Sequence, residues 1–199
     1  MTWDPGAQVR AWSFPPVAGE NVSARAFLDM AASDARQFAS EAWLKHWSQP
    51  SNERNALVKG LRFSESAGLT VMDYGCGFGM DALLYARCGA KVILADIVAA
   101  NVMAAERMLA DHGHHAYACV HAEPEPPFFR WRAPVDVFHA NGVLHHTPHA
   151  QEIAEKAWSI LRPGGEMRLM LYTEFAAAAA QEQGVDFVRL MDAVGDYAD

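Results

Sequence analysis

The sequence is poor in basic residues and in cysteine, and it has no long apolar run. Its 16 lysines and arginines stand against 24 aspartates and glutamates, a formal net charge of −8 over 199 residues, and they form no cluster. A protein that tracks a phosphate backbone needs a basic patch, so a nucleic-acid partner is not expected. The cysteines, Cys76, Cys88 and Cys119, are odd in number and lack a C-x-x-C pair. Neither a disulfide framework nor a thiolate zinc site is suggested, and a reducing cytoplasm fits best. No stretch approaches the length of a bilayer span, and the first residues, MTWDPGAQVRAWSFPP, lack a charged start followed by an apolar core. The expectation is a soluble, cytoplasmic chain without a membrane partner.

What is present is a 51% hydrophobic composition over 199 residues, long enough for one well-buried domain and too short for two of ordinary size. The most informative stretch is Leu69 to Asp81, LTVMDYGCGFGMD. Leu69, Val71 and Met72 suit a strand buried on both faces. Gly75, Gly77 and Gly79 then clear alternate positions where a helix should begin, which lets a ligand approach the backbone. A dinucleotide fingerprint, G-x-G-x-x-G, would need a small residue at its third position for helix-on-strand packing. Here that position is Met80, which is too large.

The spacing Asp73-x-Gly75-x-Gly77-x-Gly79 instead resembles motif I of the class I S-adenosylmethionine-dependent methyltransferases. Two later segments resemble the same family. NGVLHHTP, Asn141 to Pro148, is similar to the segment after the fourth strand in small-molecule methyltransferases, including those of ubiquinone and menaquinone biosynthesis, and LRPGG, Leu161 to Gly165, precedes a final strand. The resemblance covers roughly Leu69 to Tyr172. It implies an α/β fold, a Rossmann-like doubly wound, mostly parallel sheet preceded by N-terminal helices, and S-adenosylmethionine as cofactor.

The rest of the chain is read in that frame. Residues 1–66 form an N-terminal arm and helices over the cofactor cleft, 67–175 the cofactor-binding core, and 176–199 a helical C-terminal segment. Met1 to Glu20, with Pro5, Gly6, Pro15, Pro16 and Gly19, predicts an irregular arm. One helix runs from Ser23 to Pro50, and another from Ser51 to about Ser66. The helical segment places Trp43, Trp47 and His46 near the cleft by resemblance, against a simpler reading as packing aromatics. Strands are predicted at Lys91–Asp96, His115–His121, Pro134–Asn141 and Glu166–Tyr172, with a proline-rich loop over AEPEPPFFRWRAP. The antiparallel hairpin that ends the family's sheet is absent from the pattern, so an open sheet edge favours a partner, a second copy or a missing piece.

The resemblance assigns the cofactor-binding residues. Asp73 holds the methionine amino group, Gly75, Gly77 and Gly79 pass beneath the cofactor, and Asp96 accepts the ribose hydroxyls. Ile97 lies against adenine, Glu123 (with Glu125 as competitor) bonds the adenine amino group, and Asn141 borders the cofactor at the fourth strand's end. The transferred methyl is already activated by the sulfonium, so the protein need only align a nucleophile and remove its proton. His145 and His146 are the candidate catalytic bases, because imidazole titrates near neutrality; a lining role is the plain alternative. Tyr172 could orient a substrate or serve the core. His139, His145, His146 and His149 lack a metal-binding spacing, and no metal is expected. The expected activity is methyl transfer to oxygen, nitrogen or carbon of a small organic molecule. The alternatives are a non-catalytic or partner-completed cofactor-binding subunit and, opposed by Met80, a nicotinamide-dependent dehydrogenase.

Overall fold

The computed structural model describes residues 5–13, 22–47, 58–124 and 127–171. Its strands are β1 (Thr70–Tyr74), β2 (Lys91–Asp96), β3 (Ala118–Pro124), β4 (Pro127–Phe129), β5 (Val135–Asn141) and β6 (Leu161–Met170), in one sheet ordered β4-β3-β2-β1-β5-β6. Every pairing is parallel except β3 with β4. The helices are α1 (Pro5–Trp12), α2 (Ala24–Asp29), α3 (Ala32–Trp47), α4 (Met80–Arg87), α5 (Ala99–Asp111) and α6 (Ala150–Ile160).

Strand alternation supplies a core on each face, as a sheet covered on both sides requires. Val71, Leu94 and Val137 pack with Phe27 of α2, Ala39 of α3, Leu83 of α4 and Leu109 of α5. Met72, Ile93 and Phe138 point the other way, toward Ile153, Ala157 and Ile160 of α6. The chain leaves β1 first through β2 and β3 and then crosses back to β5 and β6. The reversal lies between β1 and β5, and in open α/β sheets ligands bind beside such a point, outside the strands' carboxyl ends.

Several expectations change. The arm is not wholly irregular, because Pro5–Trp12 is helical; proline at the first helical position lacks only an N–H that would have no partner there. The helix expected from Ser23 breaks at Met30, whose φ −65°, ψ 146° are extended. Ser23 caps α2 as expected, accepting from the Ala26 N–H. Its other end is closed from afar, since Arg107 donates to the carbonyls of Phe27, Leu28 and Met30 at 2.9, 2.8 and 3.0 Å. Helix 51–66 is broken as well: residues 58–61 are helical and Phe63–Glu65 is a 3₁₀ turn, while 51–57 lie outside the described residues. Arg62 adopts left-handed φ 49° at the break.

The proline-rich loop contains β4, which turns back on β3 with Glu123 opposite Phe128. Proline lacks an amide donor and is tolerated on such an edge. LRPGG, expected to precede the final strand, is an irregularity within β6: Leu161 pairs with Val135 and Glu166 with Val137. Tyr172 and the C-terminal helical segment, 176–199, lie outside the described residues. Among the described residues no helix is long and apolar enough to cross a membrane.

Candidate active site

The site is built where the carboxyl ends of β1, β2 and β5 meet the start of α4. The glycine loop is internally bonded. The N–H groups of Gly75 and Cys76 both donate to the Ala95 carbonyl, at 2.8 and 3.0 Å, Gly79 donates to Cys76 at 2.7 Å, and Gly77 donates to Asp96 at 3.0 Å. A pyrophosphate cradle needs such groups aimed at the ligand. This loop spends three of them on β2 and the fourth, that of Gly79, on itself.

The three glycines serve different ends. A Cβ on Gly75 would stand 2.4 Å from a methyl of Val143 in the loop after β5, and one on Gly79 would stand 2.9 Å from Cβ and 3.0 Å from Cα of Ala105. Gly79 therefore lets α4 approach α5, and that packing with its φ of 77° accounts for the glycine without a ligand. Gly77, with φ 49°, turns its N–H into the Asp96 carboxylate.

Asp96 is buried at the end of β2. It accepts from Gly77 on one oxygen, and on the other from the Val98 N–H at 2.8 Å and the Asn101 amide at 3.3 Å. Burial pushes its pKa up to about 6, partly offset by these donors. The same Asn101 nitrogen donates to the Trp12 carbonyl at 2.9 Å, which ties α1 to the end of β2. Ile97 follows, half-buried, its carbonyl accepting from His121 Nε2 at 3.0 Å. His121 stands level with Asp96 across β2 and β3, so the Glu123 backbone is two residues further toward the carboxyl edge. The Glu123 side chain and all of Glu125 lie outside the described residues.

Asp73 is buried at the end of β1, and its Oδ2 has no hydrogen-bond partner. Burial drives its pKa up to about 7, with His139 opposing and Asp81 and Asp96 adding to the rise. A polar network missed by sequence reasoning surrounds it. Asp81 Oδ2 accepts from His139 Nε2 at 2.8 Å and from the Asn141 amide at 2.7 Å, and His139 Nδ1 lies 3.1 Å from the Tyr85 hydroxyl. Burial would lower the His139 pKa, but the bond to Asp81 and the charges of Asp73 and Asp81 outweigh it and raise the pKa. The available signal was an aspartate two residues past the last glycine, in phase with His139 and Asn141 on one strand face. An unpartnered buried carboxylate oxygen fits a cationic donor such as the amino group of S-adenosylmethionine.

His145 and His146 follow β5 in a 3₁₀ turn, their ring centroids 4.0 Å apart. His146 is the more buried, and burial together with His145 lowers its pKa to about 3. The Trp12 ring lies 4.7 Å from it, centroid to centroid. Trp12, at the end of α1, is thus the aromatic that reaches His146. Trp43 does not: it packs on the helical layer, with the Arg87 guanidinium 3.9 Å over its ring. The side chains of His46 and Trp47 lie outside the described residues. Among the described residues no three His, Cys, Asp or Glu side chains converge as a metal-binding group.

The site thus combines a doubly wound parallel sheet, an acid at the carboxyl end of β1, another at that of β2 and a glycine loop that offers no phosphate cradle. Residues 72–167 match the family model described as a methyltransferase domain. The chain is 30% identical over 105 residues to the tRNA 5-carboxymethoxyuridine methyltransferase of Escherichia coli K12, covering 52% of this chain and 40% of that protein. It is 32% identical over 103 residues to the ubiquinone biosynthesis O-methyltransferase of Bradyrhizobium sp. ORS 278, covering 51% and 39%. This chain thus spans about two fifths of the length of these relatives. Among solved structures, a Bacillus halodurans C-125 protein provisionally described as a methyltransferase superposes with TM-score 0.52 at 16% identity, over 71% of this chain and 68% of that one, a likeness of fold. Over residues 72–167 the chain is thus similar to the class I S-adenosylmethionine-dependent methyltransferases.

Proposed function

We propose that this chain binds S-adenosylmethionine across the carboxyl ends of β1, β2 and β5 and transfers its methyl group to a small organic acceptor. The observation that carries this is the pair of buried strand-end carboxylates, Asp73 with an unpartnered oxygen and Asp96 anchored by Gly77 and Val98. When bound, the cofactor supplies an electrophilic methyl on a sulfonium. Asp73 and Asn141 hold its amino end, Asp96 the ribose, and Ile97 and Glu123 the adenine side.

The proton of the acceptor falls to His145. A general base must be free of its proton at working pH yet basic enough to take one in the transition state, and His146, with a pKa near 3, is too weak. His146 instead forms a wall with Trp12. The acidic balance of the whole chain, −8, favours a small acceptor over a polyanion. The second reading, transfer to a tRNA base, is favoured by the similarity to the tRNA methyltransferase. The loop's spent N–H groups weigh against a nicotinamide dehydrogenase.

Calorimetric titration with S-adenosylmethionine, S-adenosylhomocysteine and NAD tests the cofactor. Micromolar binding of the first two and none of NAD is expected; the reverse pattern would overturn the proposal. Methyl transfer from labelled cofactor, assayed with a phenol library and with unmodified bulk tRNA, separates the two acceptor classes.

A further inference from the structure

The acidic residue that opens α4 has an unusual pair of partners. An aspartate in a first helical turn ordinarily serves the helix dipole and faces solvent. Asp81 is buried, and its Oδ2 accepts from two donors on β5, His139 and Asn141. His139 is directly opposite Asp73 across β1 and β5. Asn141, two residues on, shares its strand face and lies one row nearer the carboxyl edge.

The bond to Asp81 fixes which way the Asn141 amide points. A carboxylate only accepts, so the amide nitrogen must turn to Asp81 and the carbonyl oxygen away from it. That Oδ1 is buried and has no hydrogen-bond partner, as is Asp73 Oδ2. Two acceptor oxygens without donors, on neighbouring rows of one sheet face, are costly to leave dry. They suit one group that carries several N–H donors and a positive charge. A reversed amide would offer its own N–H groups to that cation and repel it.

We propose that Asp81 is a positioning residue for the amino-acid end of the cofactor: it holds Asn141 with its oxygen inward, so that Asp73 and Asn141 together take the ammonium. This rests on the S-adenosylmethionine reading. Asp81 acts through Asn141, whose amide its Oδ2 holds together with His139.

The test compares two nucleosides that share the adenosine thioether. S-Adenosylhomocysteine carries the amino acid, and 5′-methylthioadenosine lacks it. With Asp81→Asn, affinity for S-adenosylhomocysteine should fall about 10- to 100-fold, the worth of a charge-assisted hydrogen bond, while 5′-methylthioadenosine binds within about twofold of wild type. Asn141→Ala should reproduce that split, and the two losses should combine with strong non-additivity because one acts through the other. Equal loss of both ligands in Asp81→Asn would mark a structural role and overturn the proposal. So would unchanged S-adenosylhomocysteine binding in Asn141→Ala, whatever the folding of the Asp81 variant. Wild type that binds neither nucleoside would overturn the cofactor reading itself, an outcome distinct from both.

Discussion

The Trp12 indole lies against the His146 imidazole, ring centroids 4.7 Å apart, while the Trp12 carbonyl accepts from the Asn101 amide that also reaches Asp96. One residue of α1 therefore touches both sides of the crevice, the loop after β5 and the end of β2. His146 owes its low pKa first to burial, and the Trp12 ring is part of what buries it. Removing the ring should let water reach the imidazole. In Trp12→Ala the His146 pKa, followed by imidazole resonances across pH, should climb from about 3 by at least about one unit. An unchanged value would mean that Leu144 and the sheet alone bury it.

The glycine loop offers a stability test with an internal control. Gly79 and Gly113 have nearly the same positive φ, 77° and 78°, but a Cβ at Gly113 meets nothing within 4 Å whereas one at Gly79 meets Ala105 Cα at 3.0 Å. Alanine at Gly113 should cost about 1 kcal/mol for the left-handed backbone alone. Alanine at Gly79 should cost about 1–3 kcal/mol more, because α4 must move off α5. Urea midpoints at constant slope measure both. Equal losses would show that the helix contact yields, and that Gly79 is needed only for its backbone.

Legibility followed the range of the interactions. The strands of the parallel core were readable because TVMDY and KVILAD are buried on both faces and carry an acid at or next to their last residue, a local signal. The glycines were legible as a turn, but Gly79's partner, Ala105, is a tertiary contact that spacing cannot show. The break after Asp29 was hidden because a residue of α5, Arg107, takes up the α2 carbonyls and makes the stop cheap. The short β4 was hidden for a related reason, since only pairing with β3 makes a strand of Pro-Phe-Phe. In the site, Asp73 and Asp96 were visible as strand-end acids. Asp81 was not, because its meaning depends on His139 and Asn141, 58 and 60 residues away.

The two histidines after β5 should separate kinetically. His145→Ala should lower kcat by about 10²- to 10⁴-fold, the range of general-base catalysis, with cofactor affinity unchanged. His146→Ala leaves a gap beneath Trp12 and should act mainly on acceptor KM, with a smaller fall in kcat. Single-turnover and steady-state assays with an acceptor found by screening decide between them. A large kcat loss confined to His146→Ala would reverse the roles, and full activity in both variants would leave the loop as lining only.

The buried acids make the stability of the ligand-free chain depend on pH, with a sign that can be worked out. Asp73 and Asp96 have folded pKa values of about 7 and about 6, raised from 3.8, and His139 is raised as well. Each holds its proton more tightly folded than unfolded. The two carboxylates' contribution is therefore fully present below their unfolded value and is lost as pH rises through the folded ones, roughly pH 4 to 7, whereas that of His139 is present below 6.5 and lost only above it. His146 works in the opposite sense, since its pKa falls from 6.5 to about 3 and stability is lost as pH drops through that window. The wild-type curve mixes the two, so the informative quantity is a difference. Asp73→Asn cannot titrate at that position, and its stability relative to wild type should rise from pH 4 to 7 and level off above. At pH 8 without ligand the variant should be the more stable of the two, because the wild type then buries a carboxylate whose Oδ2 has no partner. Saturating S-adenosylhomocysteine should reverse that order, since its ammonium supplies the partner Asp73 lacks and gives the amide much less. Thermal melts at half-unit pH steps, with and without the nucleoside, read both effects. A flat difference curve would place the titration elsewhere in the Asp81–His139 network, and an order unchanged by ligand would take the ammonium away from Asp73.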